Sequence, residues 1–190
     1  MQRTAFSPQH SRFPLGLSNA WLARRWYYTA RTHRAYSVRQ ASPGDRRLLA
    51  EFALTLTHEA NGRDAYCLRD LTTMLFDRVI ANGSDTAVGF AALENTAGGD
   101  RVIGVCAYAP DDERSAAFTI AVAHGFREEE VGRTLLSTML RHAKRVGVTR
   151  LTAQMLWSNR PMQMLALSSG FAIEPVPRDR NLRRIVLALR

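Results

Sequence analysis

The sequence has little cysteine. Cys67 and Cys106 are the only two, far apart and with no CxxC spacing. That argues against a disulfide framework and a zinc site, so no metal is expected. Each thiol is expected to be buried and inert. No apolar run approaches the ~20 residues that a membrane-spanning helix needs. Internal repeats and low-complexity tracts are absent, which argues against a solenoid or array. Lysine is nearly missing: Lys144 stands against 25 arginines. Acid is missing altogether from residues 1–44, which carry seven arginines and a charge of +7. The remaining residues hold 19 basic and 17 acidic side chains, or +2, so the basic character belongs to the N-terminal stretch.

What is present fits one soluble domain. The 190 residues suffice for a real core, and the hydrophobic content is 46%. A reducing, cytoplasmic setting suits the cysteine usage. Residues 1–34 read as a basic extension, flexible or a short helix, and 35–190 as the folded domain. Ser18 is a candidate cap for a helix to about Thr32, with Trp21, Leu22, Trp26 and Tyr27 on one side. Such an arm would either meet an acidic membrane, nucleic acid or protein surface, or fold onto its own domain. Its composition also resembles a transit peptide. Arg24-Arg25 lack the apolar segment of an export signal.

The stretch from Ala117 to Gly147 organises the rest. Ala117–Val122 suits a buried strand. A long helix is predicted from about Glu128 to Val146. Val131, Leu135, Leu136, Met139, Leu140, Ala143 and Val146 share one face, and Gly147 stops it. Between strand and helix, backbone N–H groups at a helix N-terminus form a natural anion site.

Elsewhere, Tyr36–Gln40 reads as a strand. Ser42-Pro43-Gly44-Asp45 opens a helix with Leu48, Leu49, Phe52, Ala53 and Leu56 inward. A second helix is predicted over Asp64–Ile80, ended by Asn82-Gly83. Strands are predicted at Thr86–Leu93, Arg101–Ala109, Ala116–Val122, Arg150–Leu156, Phe171–Val176 and Arg183–Leu189. A short helix runs from near Asn159 to Ser169, stopped by Gly170. The order is β-α-α-β-β-β-α-β-α-β-β: an α/β chain with an antiparallel meander, then a crossover to a parallel strand.

This order, with two motifs, resembles the GNAT family of acyl-CoA-dependent N-acyltransferases. Arg127-Glu128-Glu129-Glu130-Val131-Gly132 follows the family signature Gln/Arg-x-x-Gly-x-Gly/Ala, with Glu130 where its first glycine stands. Asn159-Arg160-Pro161-Met162-Gln163-Met164-Leu165-Ala166-Leu167-Ser168-Ser169-Gly170-Phe171 is similar to a motif of bacterial Pat-type protein-lysine acetyltransferases. The resemblance implies a GNAT fold: a mixed central sheet with a splayed parallel pair and about four flanking helices.

It also implies acetyl-CoA as acyl donor and an amine, such as a protein lysine, as acceptor. Arg127, Val131, Gly132, Arg133 and Thr134 would hold the pyrophosphate. Ala121 and Val122 would supply a backbone N–H from a bulged strand to the thioester carbonyl. Asn159 would lie near the acyl-CoA arm. The three glutamates oppose a pyrophosphate: at ~6 Å and an effective dielectric of ~20, one charge costs roughly 3 kcal/mol.

No catalytic residue is assigned. The Pat-type general base, a Glu, falls at Ala117, and the Tyr that many family members use as general acid falls at Ala166. Cys106 and Tyr108 are expected on opposite faces of the adjacent strand and to be structural. His124 lies toward the phosphate end, and His58 and Glu59 on a loop where the family often binds its acceptor. An alternative is a non-catalytic GNAT-like binding or regulatory module that has lost the base and part of the pyrophosphate loop.

Overall fold

The computed structural model describes residues 26–29, 35–59, 87–126 and 130–189. The predicted helix over Asp64–Ile80, its Asn82-Gly83 stop, and Cys67 lie outside the described residues. So do Arg127, Glu128 and Glu129.

Among the described residues, eight strands form one sheet. They are β1 (Trp26–Thr29), β2 (Ala35–Gln40), β3 (Val88–Thr96), β4 (Gly99–Pro110), β5 (Ser115–Val122), β6 (Arg150–Leu156), β7 (Ala172–Val176) and β8 (Asp179–Ala188). Three α-helices accompany them among the described residues: α1 (Arg46–Glu59), α2 (Val131–Arg145) and α3 (Arg160–Ser168). The spatial order is β1-β2-β3-β4-β5-β6-β8-β7. All neighbours are antiparallel except β5 and β6. The antiparallel meander and the central parallel pair are as expected.

Two local expectations fail. Trp26–Thr29 is a strand paired with β2, not the end of a helix. Its aromatic residues suit a pleated edge as well as a helix face, and Tyr28 stacks on Tyr36 with ring centroids 5.5 Å apart. Second, α2 starts at Val131, three residues after the predicted Glu128. Glu130 is its N-cap, with φ 50°. A left-handed residue cannot continue a right-handed helix backward, so the helix begins after it.

Every residue of β4 from Val102 to Ala109 is buried, so both faces of this strand are covered. Gly104, Cys106 and Tyr108 face α2. The Cys106 thiol donates to the Leu135 carbonyl at 3.4 Å, and the Tyr108 hydroxyl lies 2.7 Å from His142 Nδ1. Helix α1 also packs on β4 and brings Leu49, Phe52 and Leu56 into the core. Cys106 and Tyr108 therefore share one face. Residues two apart in a strand point the same way, which the opposite-face expectation overlooked.

Gly104 lets helix and sheet close up. A Cβ there would sit 3.0 Å from Leu135 Cδ1, 3.2 Å from Val131 Cγ1 and 3.3 Å from the Ala121 carbonyl oxygen. The entry to α1 is fastened by a bidentate pair: Arg39 donates to both Asp45 oxygens, at 2.5 and 2.7 Å. Ser42 N–H and hydroxyl donate to Oδ2 of the same carboxylate. Burial disfavours the Asp45 charge, but the bonds from Arg39 and Ser42 outweigh it and hold the carboxyl below its usual value.

Candidate acyl-CoA cleft

Strands β5 and β6 run side by side only at their beginnings. Their register covers Ser115↔Arg150, Ala116↔Leu151 and Ala117↔Thr152, and no further. Beyond Ala117, β5 stays on β4 through Val122, while β6 stays on β8 through Leu156. The sheet thus opens into a cleft between the C-terminal halves of β5 and β6.

Alternation along β5 decides which backbone groups face the opening. The Ala123 N–H donates to the Ile103 carbonyl on the β4 side, at 2.9 Å. Stepping back by twos, the N–H groups of Ala121, Thr119 and Ala117 also point to β4. Those of Ile120 and Val122 point toward β6, into the opening. Ala121 therefore contributes no cleft donor. The register of β5 on β4 is unbroken, so the expected bulge near Ala121–Val122 is not there. The shift falls one strand pair away, between Ala92 and Leu93 in the β3–β4 register. Ile120 was missed by the sequence reading; the alternation rule finds it once one hydrogen bond is known.

The far end of β5 leads through a short 3-10 turn, His124–Phe126, toward α2. The first intrahelical bond is Thr134 N–H to the Glu130 carbonyl, 2.9 Å. The N–H groups of Val131, Gly132 and Arg133 precede it and are the helix's unsatisfied first-turn donors. Thr134 differs from these three: its N–H is inside the helix, and its hydroxyl lies 2.9 Å from the Tyr36 hydroxyl. Gly132 needs no unusual φ; its value lies in room. A Cβ there would come 3.4 Å from Leu165 of α3 and 3.7 Å from Val122 of β5. The start of α2, the end of β5 and the middle of α3 therefore converge at one point.

Glu130 occupies the signature's glycine position, and its backbone keeps a left-handed conformation that glycine adopts most readily. Its side chain is exposed and makes no capping bond. Holding a non-glycine residue there costs roughly 1–2 kcal/mol. The left-handed turn thus forms with a glutamate in it.

Asn159 caps α3: its Oδ1 accepts from Met162 N–H at 3.1 Å. Ala117 is half-buried on β5, and Ala166 is fully buried under α3. Neither places an acid or base in the cleft. His124 is exposed beside the α2 turn. Cys106 and Tyr108 are sealed against α2, and burial pushes both acidities toward the protonated form. They are structural. His58 and Glu59 lie at the end of α1, and their side chains are outside the described residues. Among the described residues, no group of three His, Cys, Asp or Glu could hold a metal, and no helix is long and apolar enough to cross a membrane.

A central sheet opened at a parallel pair, with a helix N-terminus at the open end, sets backbone donors beside an open cleft. The acetyltransferase (GNAT) family profile matches residues 49–171, more than half of the chain. The chain belongs to the GNAT family. Among solved structures it is similar to the GNAT domain of S. lividans PAT, at 18% identity and a TM-score of 0.63 over 90% of this chain and 99% of that one. It is also similar to a GNAT-family acetyltransferase from Streptococcus pneumoniae, at 17% identity and a TM-score of 0.64, covering 82% and 99%. A third is yncA of Salmonella typhimurium, solved with its cofactor acetyl-CoA, at 18% identity and a TM-score of 0.57, covering 82% and 94%. At these identities the likeness is one of fold. No curated protein matches the chain.

Proposed function

We propose that the chain is an N-acetyltransferase that carries an acetyl group from acetyl-CoA to an amine, with a protein lysine as the acceptor class. The opened β5–β6 cleft, ending on the first turn of α2, is the observation that carries this reading. Val131, Gly132 and Arg133 N–H groups would hold the pyrophosphate as an anion nest, and the Arg133 and Arg127 side chains would add charge. The Ile120 N–H would meet the thioester carbonyl where negative charge develops. Asn159 fixes the start of α3 beside the pantetheine path.

In the reaction the amine lone pair forms the C–N bond and the carbonyl oxygen takes the charge. The C–S bond then breaks and its electron pair leaves on the CoA sulfur. The amine loses its proton to water, since the base and acid positions hold Ala117 and Ala166. Catalysis would then rest on orientation and on the backbone donors.

The second reading, a non-catalytic acyl-CoA-binding module, is favoured by those same two alanines. Calorimetric titration with acetyl-CoA, with free CoA as control, tests the cleft first. Binding is expected, and Gly132→Glu should weaken it at least about tenfold by filling the gap and adding a charge. Absence of binding at millimolar ligand would overturn the acyl-CoA reading. Binding without thiol release in the presence of amines or lysine peptides would leave the module.

A further inference from the structure

The sheet has two faces at the cleft, and alternation along the strands, carried across by register, sorts the side chains between them. Leu151 and Leu187 lie on the face that α2 and α3 cover. A Cβ at Gly170 would come 3.8 Å from Leu187 Cδ1, and Phe171 meets Phe118 with ring centroids 5.4 Å apart. The opposite face of β6, β8 and β7 carries Gln154, Arg184 and Glu174, which stand side by side in one row across the three strands. All three are exposed.

On the same face, Arg150 begins β6 and Arg180 lies near the start of β8, both exposed. Three arginines therefore stand there against one acid, Glu174. Among the described residues, none of the three is in an ion pair. Arginine is common in this chain, so charge alone would say little. Position says more. Thr152 is the last β6 residue paired with β5, which puts Gln154 on the wall of the opening. Arg184 is its direct neighbour on β8, one strand spacing or about 4.8 Å further out.

In the acyl-CoA reading, the phosphates sit at the first turn of α2 and the coenzyme arm fills the α2–α3 side of the cleft. An attacking amine then reaches the thioester from the opposite face. A lysine side chain entering there leaves its own backbone lying over β6 and β8, beside Gln154 and Arg184. An extended segment advances about 3.3 Å per residue, so positions one or two away from the lysine come to lie near Arg184. Carboxylates are the side chains that this surface would attract. We propose that this face docks the acceptor, and that Arg184, with Arg180 and Arg150 adding to the field, selects a lysine with acidic residues beside it. This rests on the acyl-CoA reading above and adds the class of acceptor.

The test uses the full chain and lysine peptides of equal length, with aspartate, alanine or arginine on both sides of the lysine. Thiol release at saturating acetyl-CoA gives KM and kcat, and anisotropy of the labelled peptides with CoA present gives Kd. The aspartate peptide should have KM and Kd values about fivefold below those of the alanine peptide, and the arginine peptide should have the highest. Arg184→Gln should bring the aspartate peptide close to the alanine one through KM, not kcat. Arg180→Glu combined with Arg184→Glu should turn the order round. Unchanged melting temperatures would show that the variants are folded. Equal values for the peptides in the wild type, or an order that the variants leave as it was, would overturn the proposal, while acetyl-CoA binding would keep the acyl-CoA reading standing. If no peptide turns over, a Kd order that reverses in the double variant would keep the docking face, and a flat one would overturn it. Failure of acetyl-CoA to bind would overturn both.

Discussion

The two ends of the β5–β6 cleft differ in what holds them. At the open end, the features are backbone: first-turn N–H groups of α2, the left-handed turn at Glu130, and the room beside Gly132. At the closed end, where β5 and β6 still pair, any acid or base would have to come from a side chain, and Ala117 there offers none. Backbone geometry at the open end is left-handed although the residue there is a glutamate. Side-chain chemistry, by contrast, depends on the identity of a single residue. On the proposed reading, the coenzyme end would rest on backbone geometry and the reaction end on a side chain that Ala117 does not supply.

The largest expected effect comes from refilling the closed end. Ala117 is half-buried, opposite Ala109 on β4 and Thr152 on β6. A carboxylate there would meet the incoming ammonium as a general base. Such groups contribute about 10²–10⁴-fold. Ala117→Glu is expected to raise kcat by about 10²-fold, read as thiol release with lysine peptides, with little change in acetyl-CoA affinity. An unchanged or lower kcat in a folded variant would show that the cleft lacks more than its base.

Next in size is a test of the packing that both ends share, the face of α2 against β4. His142 is 2% exposed, edge-on to Phe90 with centroids 5.5 Å apart, and 2.7 Å from the Tyr108 hydroxyl. Burial, and then the charge of Arg145, lower its pKa from 6.5 to about 4. The neutral ring is therefore the folded form. Below pH 6.5 the unfolded chain takes up a proton that the folded chain refuses, so stability falls from pH 6.5 toward pH 4. Above pH 6.5 this group makes no difference. The full loss is up to about 3 kcal/mol. Urea unfolding at pH 7.5, 6, 5 and 4.5 should show the decline, and His142→Gln should flatten it. A slope that persists in the variant would assign the acid sensitivity to other groups.

Much of this was legible in the sequence, and the exceptions have physical causes. The seven strands from β2 onward and all three described helices were placed because each is long enough to show its period. Gly147 and Gly170 stop their helices with φ values of 87° and 84°. Trp26–Thr29 was misread because four residues cannot separate a period of 2 from one of 3.6. Its pairing with β2 is a tertiary fact. Cys106 and Tyr108 could have been placed on one face by counting alone. The direction of the Ile120 N–H required one observed bond.

The smallest effect bears most directly on the open end. If the Glu130 turn is held against its own preference by the end of β5 and the start of α2, glycine there should relax it without moving it. The conformational gain of roughly 1–2 kcal/mol is partly offset by the extra freedom that glycine gives the unfolded chain, about 0.4–1 kcal/mol. Glu130→Gly is therefore expected to raise stability by about 0.5–1 kcal/mol in urea unfolding. It should also tighten acetyl-CoA, because an exposed carboxylate at the anion site is removed. The two gains have different salt dependences: the stability gain should persist at 0.5 M salt, whereas the electrostatic part of the affinity gain should shrink. Glu130→Ala separates them, since it removes the charge and keeps the strain. A glycine variant no more stable than the wild type would mean that the left-handed turn is not under strain. The open end would then owe its shape to the glutamate, not to the frame around it.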